Sequence, residues 1–280
     1  MGERILLATD GRARTDLAVE YAAAIARLTD AEIEVLTVMD ERILEAVHDT
    51  SARDDLEADM RTLGDSVVNE VAARAGDVIT DRVVVEGIPH RVIIESAAAA
   101  DLVVLGRMTS DRADPAAVAS RVIAESPTPV LSVPMDGPSP PEGAFATAMV
   151  PTDGSDYPDR ALETVLDWMS SDARIHGMYV IDSAIYDLAD APRSIIGILR
   201  EGGEAALADL AAVASDRSIT VRRHIRRGQV EPVLLAAIDE LAPDVVAVGT
   251  RGRSAGSGPL LGSTTQALLR SATVPVLAAP

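Results

Sequence analysis

A chain of 280 residues is long enough for one large domain or two of ordinary size, and its 48% apolar content excludes wholesale disorder. Forty-four acidic residues oppose 25 basic ones, a formal charge of −19 that repels nucleic-acid backbones and anionic membranes. There is no cysteine, which rules out disulfides, thiolate metal sites and Cys nucleophiles together.

With one Trp and one Phe, the core must be aliphatic and fine-grained. Every basic residue is Arg. Lys is ordinarily among the commonest residues, so its absence marks a biased composition. An acidic, Lys-free surface suits a cytoplasm of concentrated salt, where self-repulsion is screened within a few Å. A GC-rich genome that favours Arg and Ala codons yields the same bias.

In chain order, Met1 leads almost directly into Ile5-Leu6-Leu7-Ala8, too short for a signal-peptide core and without a cleavage site. No apolar stretch approaches the ~20 residues that span a bilayer. A cytoplasmic protein without membrane insertion is expected. Short apolar runs then end at Thr9, near Met39, near Glu86, at Gly106 and near Val133. Helical spacing between them places Leu17, Tyr21, Ala24 and Leu28 on one face. The same spacing joins Leu56, Met60, Leu63, Val67 and Val71 in an acidic helix running from Arg53 to Arg74.

The segment MDGPSPPEGA, Met135 to Ala144, is rich in breakers and has no periodicity, so it reads as a linker. Beyond it the first half repeats. RILLATDGR (Arg4 to Arg12) recurs as TAMVPTDGS (Thr147 to Ser155), matching Asp10 with Asp153. EGIPHRVIIESAAAADLVVLG (Glu86 to Gly106) recurs as RGQVEPVLLAAIDELAPDVVAVG (Arg227 to Gly249), and SPTPVLSVP (Ser126 to Pro134) as SATVPVLAAP (Ser271 to Pro280). Two domains are expected, 1–134 and 145–280. Runs such as Leu102 to Leu105 and Val245 to Val248 are apolar throughout, as in parallel strands covered on both faces. Strands alternating with helices give an α/β class, two tandem doubly wound parallel sheets of about five strands each. Ligands of such sheets lie at the carboxyl ends of the strands, where the winding reverses. Thr152-Asp153-Gly154 and Gly249, like Thr9-Asp10-Gly11 and Gly106, border that crevice.

After the fourth strand of the second copy, Gly249 permits a tight exit, Gly252 a close backbone approach, and Gly262 and Ser263 open a helix. A helix amino end with hydroxyls at Ser263 and Thr264 is an anion site, and Arg251 and Arg253 add positive charge. The plainer alternatives are a surface loop whose Ser caps a helix, and an Asp153 that only forms the turn before Gly154.

The spacing G-x-x-G, nine residues, G-[ST], realised as Gly249, Gly252, Gly262 and Ser263, resembles the ATP-binding signature of the universal stress protein family. PTDG at Pro151 to Gly154 and PVL at Pro275 to Leu277 fit the same family. The resemblance covers nearly all of both copies. It implies five-stranded, adenine nucleotide alpha-hydrolase-like domains that pack as an intrachain pseudo-dimer through their last strands, with a homodimer of whole chains a further step. It also implies that Thr152, Asp153 and main chain near Val180 hold adenosine. Gly249, Arg251, Gly252, Gly262, Ser263 and Thr264 would hold ribose and phosphates of ATP or AMP. Mg²⁺ would enter with the nucleotide.

The first copy departs from this signature. Only Gly106 survives, Thr109 stands at the second glycine, and Ala116 and Ala117 replace Gly262 and Ser263. Asp111 and Asp114 carry the wrong charge for a phosphate, so this copy reads as a structural partner. Other motifs fail. Gly252-Arg253-Ser254-Ala255-Gly256 lacks the helix and later His of a nucleophile elbow, and a Walker A loop needs a Lys. Gly256, Gly258 and Gly262 are misspaced for a dinucleotide fingerprint. Neither ATDGR nor PTDGS offers the SGGxDS loop of the ATP pyrophosphatases, which share this architecture. His48, His90, His176 and His224 lack ligand spacing and read as surface or turn residues. The expected function is a non-enzymatic, nucleotide-binding regulator in stress response. The alternative is a module that binds a client protein or transporter, with nucleotide structural or absent.

Overall fold

A computed structural model describes residues 3–11, 16–108, 118–155, 157–183, 193–252 and 261–280. The expected alternation is present in both halves. The first runs β1 (Arg4–Ala8), α1 (Asp16–Thr29), β2 (Glu32–Asp40), α2 (Glu41–Glu45), α3 (Thr50–Ala75), β3 (Ile79–Gly87), α4 (Pro89–Ala97), β4 (Leu102–Arg107), α5 (Val118–Glu125) and β5 (Val130–Pro134). The second runs β6 (Phe145–Pro151), α6 (Tyr157–Leu166), β7 (Met169–Asp182), α7 (Arg193–Ser215), β8 (Thr220–Gly228), α8 (Val230–Leu241), β9 (Val245–Gly249), α9 (Ser263–Ser271) and β10 (Val276–Ala279). Contacts divide the chain into two compact units, with the division in the linker falling between Pro140 and Pro141. The linker is anchored to unit 1 by the Tyr21 hydroxyl, which donates to the Pro138 carbonyl.

Within unit 1 the strand order is β3-β2-β1-β4-β5, and within unit 2 it is β8-β7-β6-β9-β10. The printed pairings within each unit are parallel. The winding reverses between β1 and β4, and again between β6 and β9, so each crevice opens where β1 and β6 end. The duplication extends to hydrogen bonds. Asp101 accepts from the Arg4 N–H as Asp244 accepts from Thr147, at 2.8 Å in both. Both carboxylates lock the start of a central pair of strands.

The central strands bury nearly every residue, which is why they read as continuous apolar runs. In unit 2 the Phe145 and Trp168 rings pack with centroids 5.7 Å apart. The helix faces differ from expectation in detail. On α1, Tyr21 is buried as expected, but its companions are Ala18, Val19, Ala22, Ala23, Ile25 and Ala26, while Leu17, Ala24 and Leu28 are half-buried. Small Ala side chains let the helix lie close to the sheet, and the leucines fall to its flanks. On α3, Leu63 is 65% exposed, and Gly64 takes the inward position, where its missing Cβ would lie 2.7 Å from Val84.

The histidines also depart from expectation. His176 is buried on β7 and stacks on His224 of β8, Nδ1 to Nε2 at 2.9 Å. Neither is a turn residue; parallel pairing across 48 residues brings them together, a register that sequence spacing does not display.

Candidate functional site

In unit 2, β6 ends at Pro151, and the chain turns at once. The Thr152 N–H donates to the Met178 carbonyl of β7, and its hydroxyl oxygen accepts from Gly154 N–H at 3.0 Å. Gly154 takes a positive φ of 79°, which glycine adopts without steric cost. Asp153 is therefore held at the tip of a fixed turn. Its Oδ1 accepts from the Ser155 N–H at 3.0 Å and from the Ser155 hydroxyl at 2.6 Å. The turn-forming role weighed from sequence is real, but it uses one carboxylate oxygen. Oδ2 faces Gly252: a Cβ built there would lie 2.6 Å from it, so any side chain at 252 would displace Asp153.

The other wall begins at Gly249, the last residue of β9. Thr250 is buried, and its N–H donates to the Ala279 carbonyl of β10. Its own carbonyl accepts from Gly262 N–H at 2.9 Å, which closes the loop onto the strand end. Gly262 is the N-cap of α9, with φ −59° and ψ 145° and no capping side chain. Ser263 is thus the first helical residue, and the reading in which it caps the helix does not hold. The first helical bond runs from Gln266 N–H to the Gly262 carbonyl. The preceding amide donors of the turn have no intrahelical acceptor, as at any helix amino end. Among the described residues, neither Ser263 nor Thr264 makes a side-chain hydrogen bond, and Arg251 makes no ion pair.

Two residues that sequence reasoning passed over hold this arrangement. Ser155 fixes the Asp153 carboxylate; an Asp followed two positions later by Ser is the available signal. Thr265 is 3% exposed, and its hydroxyl donates to the Gly249 carbonyl at 2.8 Å, tying the amino end of α9 to the end of β9. A third hydroxyl in Ser263-Thr264-Thr265, on the buried face, was visible but silent about its partner. Thr265→Val keeps the shape and leaves a buried carbonyl unsatisfied. Unit 2 should lose about 1–3 kcal/mol, with weaker ligand binding, measurable by denaturant titration.

The structure thus places Thr152 and Asp153 just past the end of β6, Gly249, Arg251 and Gly252 at and just past the end of β9, and Gly262, Ser263 and Thr264 at the amino end of α9. Val180 lies two residues before the end of β7, in register with Arg226 of β8. Arg253 and Ser254 to Gly258 lie outside the described residues. In unit 1, Thr9, Asp10 and Gly11 repeat the turn, with Gly11 N–H on the Thr9 hydroxyl at 3.2 Å. The similarity then stops. Val67 of α3 packs directly against Gly11, beside Asp10. Ser126 N–H donates to the Val122 carbonyl as Ala272 N–H does to Leu268, which sets Val118 against Thr264 and Ala119 against Thr265. Neither can supply the hydroxyl. Arg107 replaces Thr250; it is 5% exposed, and burial pushes its guanidinium pKa down to about 9. Thr109, Asp111, Asp114, Ala116 and Ala117 lie outside the described residues.

Among the described residues, no helix is long and apolar enough to cross a membrane. A family model described as the universal stress protein family matches residues 1–134 and again 144–280. A universal stress protein of Methanocaldococcus jannaschii is 25% identical over 140 residues, covering 49% of this chain and 82% of that protein. The crystal structure of a universal stress protein from Archaeoglobus fulgidus covers 99% of this chain and 97% of its own, with a TM-score of 0.74 and 23% identity. A universal stress protein solved in complex with cAMP is 24% identical, covers 49% of this chain and 99% of its own, and has a TM-score of 0.39.

Proposed function

The chain belongs to the universal stress protein family, as two family domains in tandem, and from that premise we propose that it is an adenine-nucleotide-binding regulator whose ligand sits in unit 2. The observation that carries this reading is the uncapped amino end of α9. It is tied by Thr265 to the end of β9, across the crevice from Asp153. Free amide donors and the positive end of a helix dipole there suit a phosphate. Ser263 and Thr264 add hydroxyls, Arg251 adds charge, and Gly252 lets the main chain approach the ligand. Asp153 and main chain near Val180 would take the ribose and base of ATP or AMP. Mg²⁺ would accompany the triphosphate by lowering its charge. Unit 1 keeps Asp10 but has Val118 and Ala119 in place of two threonines, and it serves as the structural partner.

Among the described residues the site supplies no paired general base and leaving-group acid, which favours a binding protein over an ATP-consuming enzyme. Equilibrium dialysis of the purified protein with labelled ATP and AMP tests binding, and product formation in the same samples tests turnover. Retained nucleotide without turnover supports the regulator. Fast hydrolysis contradicts it, and no retention of either nucleotide favours a client-binding module.

In the strand orders above, β5 and β10 are the end strands of their units, short and fully buried along their length. A short, apolar strand at the end of a unit's strand order favours pairing, and we take these two to form an intrachain pseudo-dimer. Because the chain has no cysteine, a pair introduced one on each strand reads out the contact cleanly. Disulfide formation within the monomer supports it; failure across several register choices refutes it.

A further inference from the structure

The paired histidines of unit 2 lie outside the nucleotide crevice and have no role in it. His176 is 6% exposed on β7, and its Nδ1 lies 2.9 Å from Nε2 of His224 on β8. At that separation one nitrogen must donate and the other accept. Two neutral rings satisfy this, as do one charged ring and one neutral ring. Two charged rings cannot, because each would present an N–H to the other and two like charges would meet at about 3 Å. We propose that the His176–His224 pair is a proton-operated catch between β7 and β8. It stays closed while at most one ring is charged and opens when both are, so that acid loosens the outer strand of unit 2.

The surroundings favour the neutral pair. β7 contributes Arg174, β8 contributes Arg222 and Arg226, and α8 contributes Glu240, which pairs with Arg226 at 2.6 Å. β6 presents Met149 in register with His176, with no charge. α7 covers the opposite face of the sheet, where Leu207 and Leu210 meet Gly177 and Val221. Three guanidiniums thus outweigh one carboxylate. Burial first, then the neighbouring positive charges, lowers the pKa of both rings, with Glu240 opposing.

The sign follows from linkage. An unfolded His takes up its proton near pH 6.5, while the folded pair resists until lower pH, so the unfolded state binds more protons in between. Stability is therefore full above pH 6.5 and is lost as pH falls below it. The strand β8 is exposed to this loss because it ends the unit's strand order and pairs only with β7 among the described residues. At the equivalent positions unit 1 has Glu34 and Val83 instead of the two histidines. Leu6 pairs with Glu34 as Met149 pairs with His176, and Leu36 pairs with Val83 as Met178 pairs with His224.

The single tryptophan makes the test specific to unit 2. Trp168 is 3% exposed and packs on Phe145, so its fluorescence reports that unit alone. Melting followed by Trp168 is compared at pH 7 and pH 5 for the wild type and for His224→Gln, whose amide can still bond His176 without titrating. The wild type should lose about 3–5 °C more than the variant over this interval. Equal losses in the two proteins would overturn the proposal. Should the variant fail to fold, NMR titration of the wild-type rings decides. His176 and His224 should titrate below the ordinary histidine range, and titration of both at or above pH 6.5 would also overturn it.

Discussion

Gly262→Asp is expected to leave α9 as stable as before, or slightly more so, and to abolish nucleotide binding. Gly262 needs no glycine for the sake of the fold. Its φ of −59° and ψ of 145° are open to any residue, and a Cβ there would meet its nearest atom, the Thr250 carbonyl oxygen, at 3.6 Å, an ordinary contact. As an N-cap, Asp outranks Gly by a few tenths of a kcal/mol, because its carboxylate accepts from the open amides of the first turn. Those amides are the groups assigned here to a phosphate. The substitution occupies them and places a like charge against the ligand, which costs several kcal/mol, about a hundredfold or more in affinity. Melting and ATP isotherms of the variant check both signs. A helix start with no ligand role would give the stabilisation alone, with ATP affinity unchanged. The comparable substitution at Ala116, outside the described residues of unit 1, should leave binding intact.

The second large effect concerns salt. Forty-four carboxylates against 25 guanidiniums leave a charge of −19 that acts over about 30 Å at 0.01 M salt, about 8 Å at 0.15 M and about 3 Å at 1 M. Screening also weakens attractive pairs such as Arg217 with Asp167 and Arg200 with Glu204. Their side chains are 40% exposed or more, and such pairs contribute at most about 1 kcal/mol each. Relief of repulsion therefore wins. Melting temperature should rise from dilute buffer to molar KCl by roughly 10 °C, about 3 kcal/mol for units of this size. The same field opposes an incoming triphosphate, which Arg251 and the amino end of α9 offset only locally. ATP affinity should hold or improve over the first additions of salt, whereas an ordinary basic phosphate site weakens from the outset. Unchanged melting in dilute buffer together with steadily falling affinity would reduce the acidic composition to a solubility feature.

What was legible in the sequence was what local chemistry controls. The turn at Thr152-Asp153-Gly154 and the helix start at Gly262-Ser263 could be read because both are set by neighbouring residues, and duplication supplied a second copy to compare. The strands could be read because β4 and β9 are buried on both faces and leave no polar position in Leu102 to Leu105 or Val245 to Val248. What escaped depends on partners distant along the chain. Leu63 fits a helical stripe with Val67, yet where α3 meets the sheet Gly64 is the residue that lies against Val84. Helical spacing puts Leu17 and Leu28 on the face of Tyr21, whereas close packing on the sheet buries Ala18, Ala22, Ala23 and Ala26 instead. Thr265 bonds a carbonyl 16 residues back, and His176 meets a ring 48 residues ahead. Only strand register and helix placement make those pairs.

The asymmetry between the two units is tested most directly by calorimetric titration of the intact chain with ATP. The geometry predicts one nucleotide per chain, removed entirely by Gly262→Asp. Two equivalent sites, or one site that survives Gly262→Asp at full affinity, would contradict it.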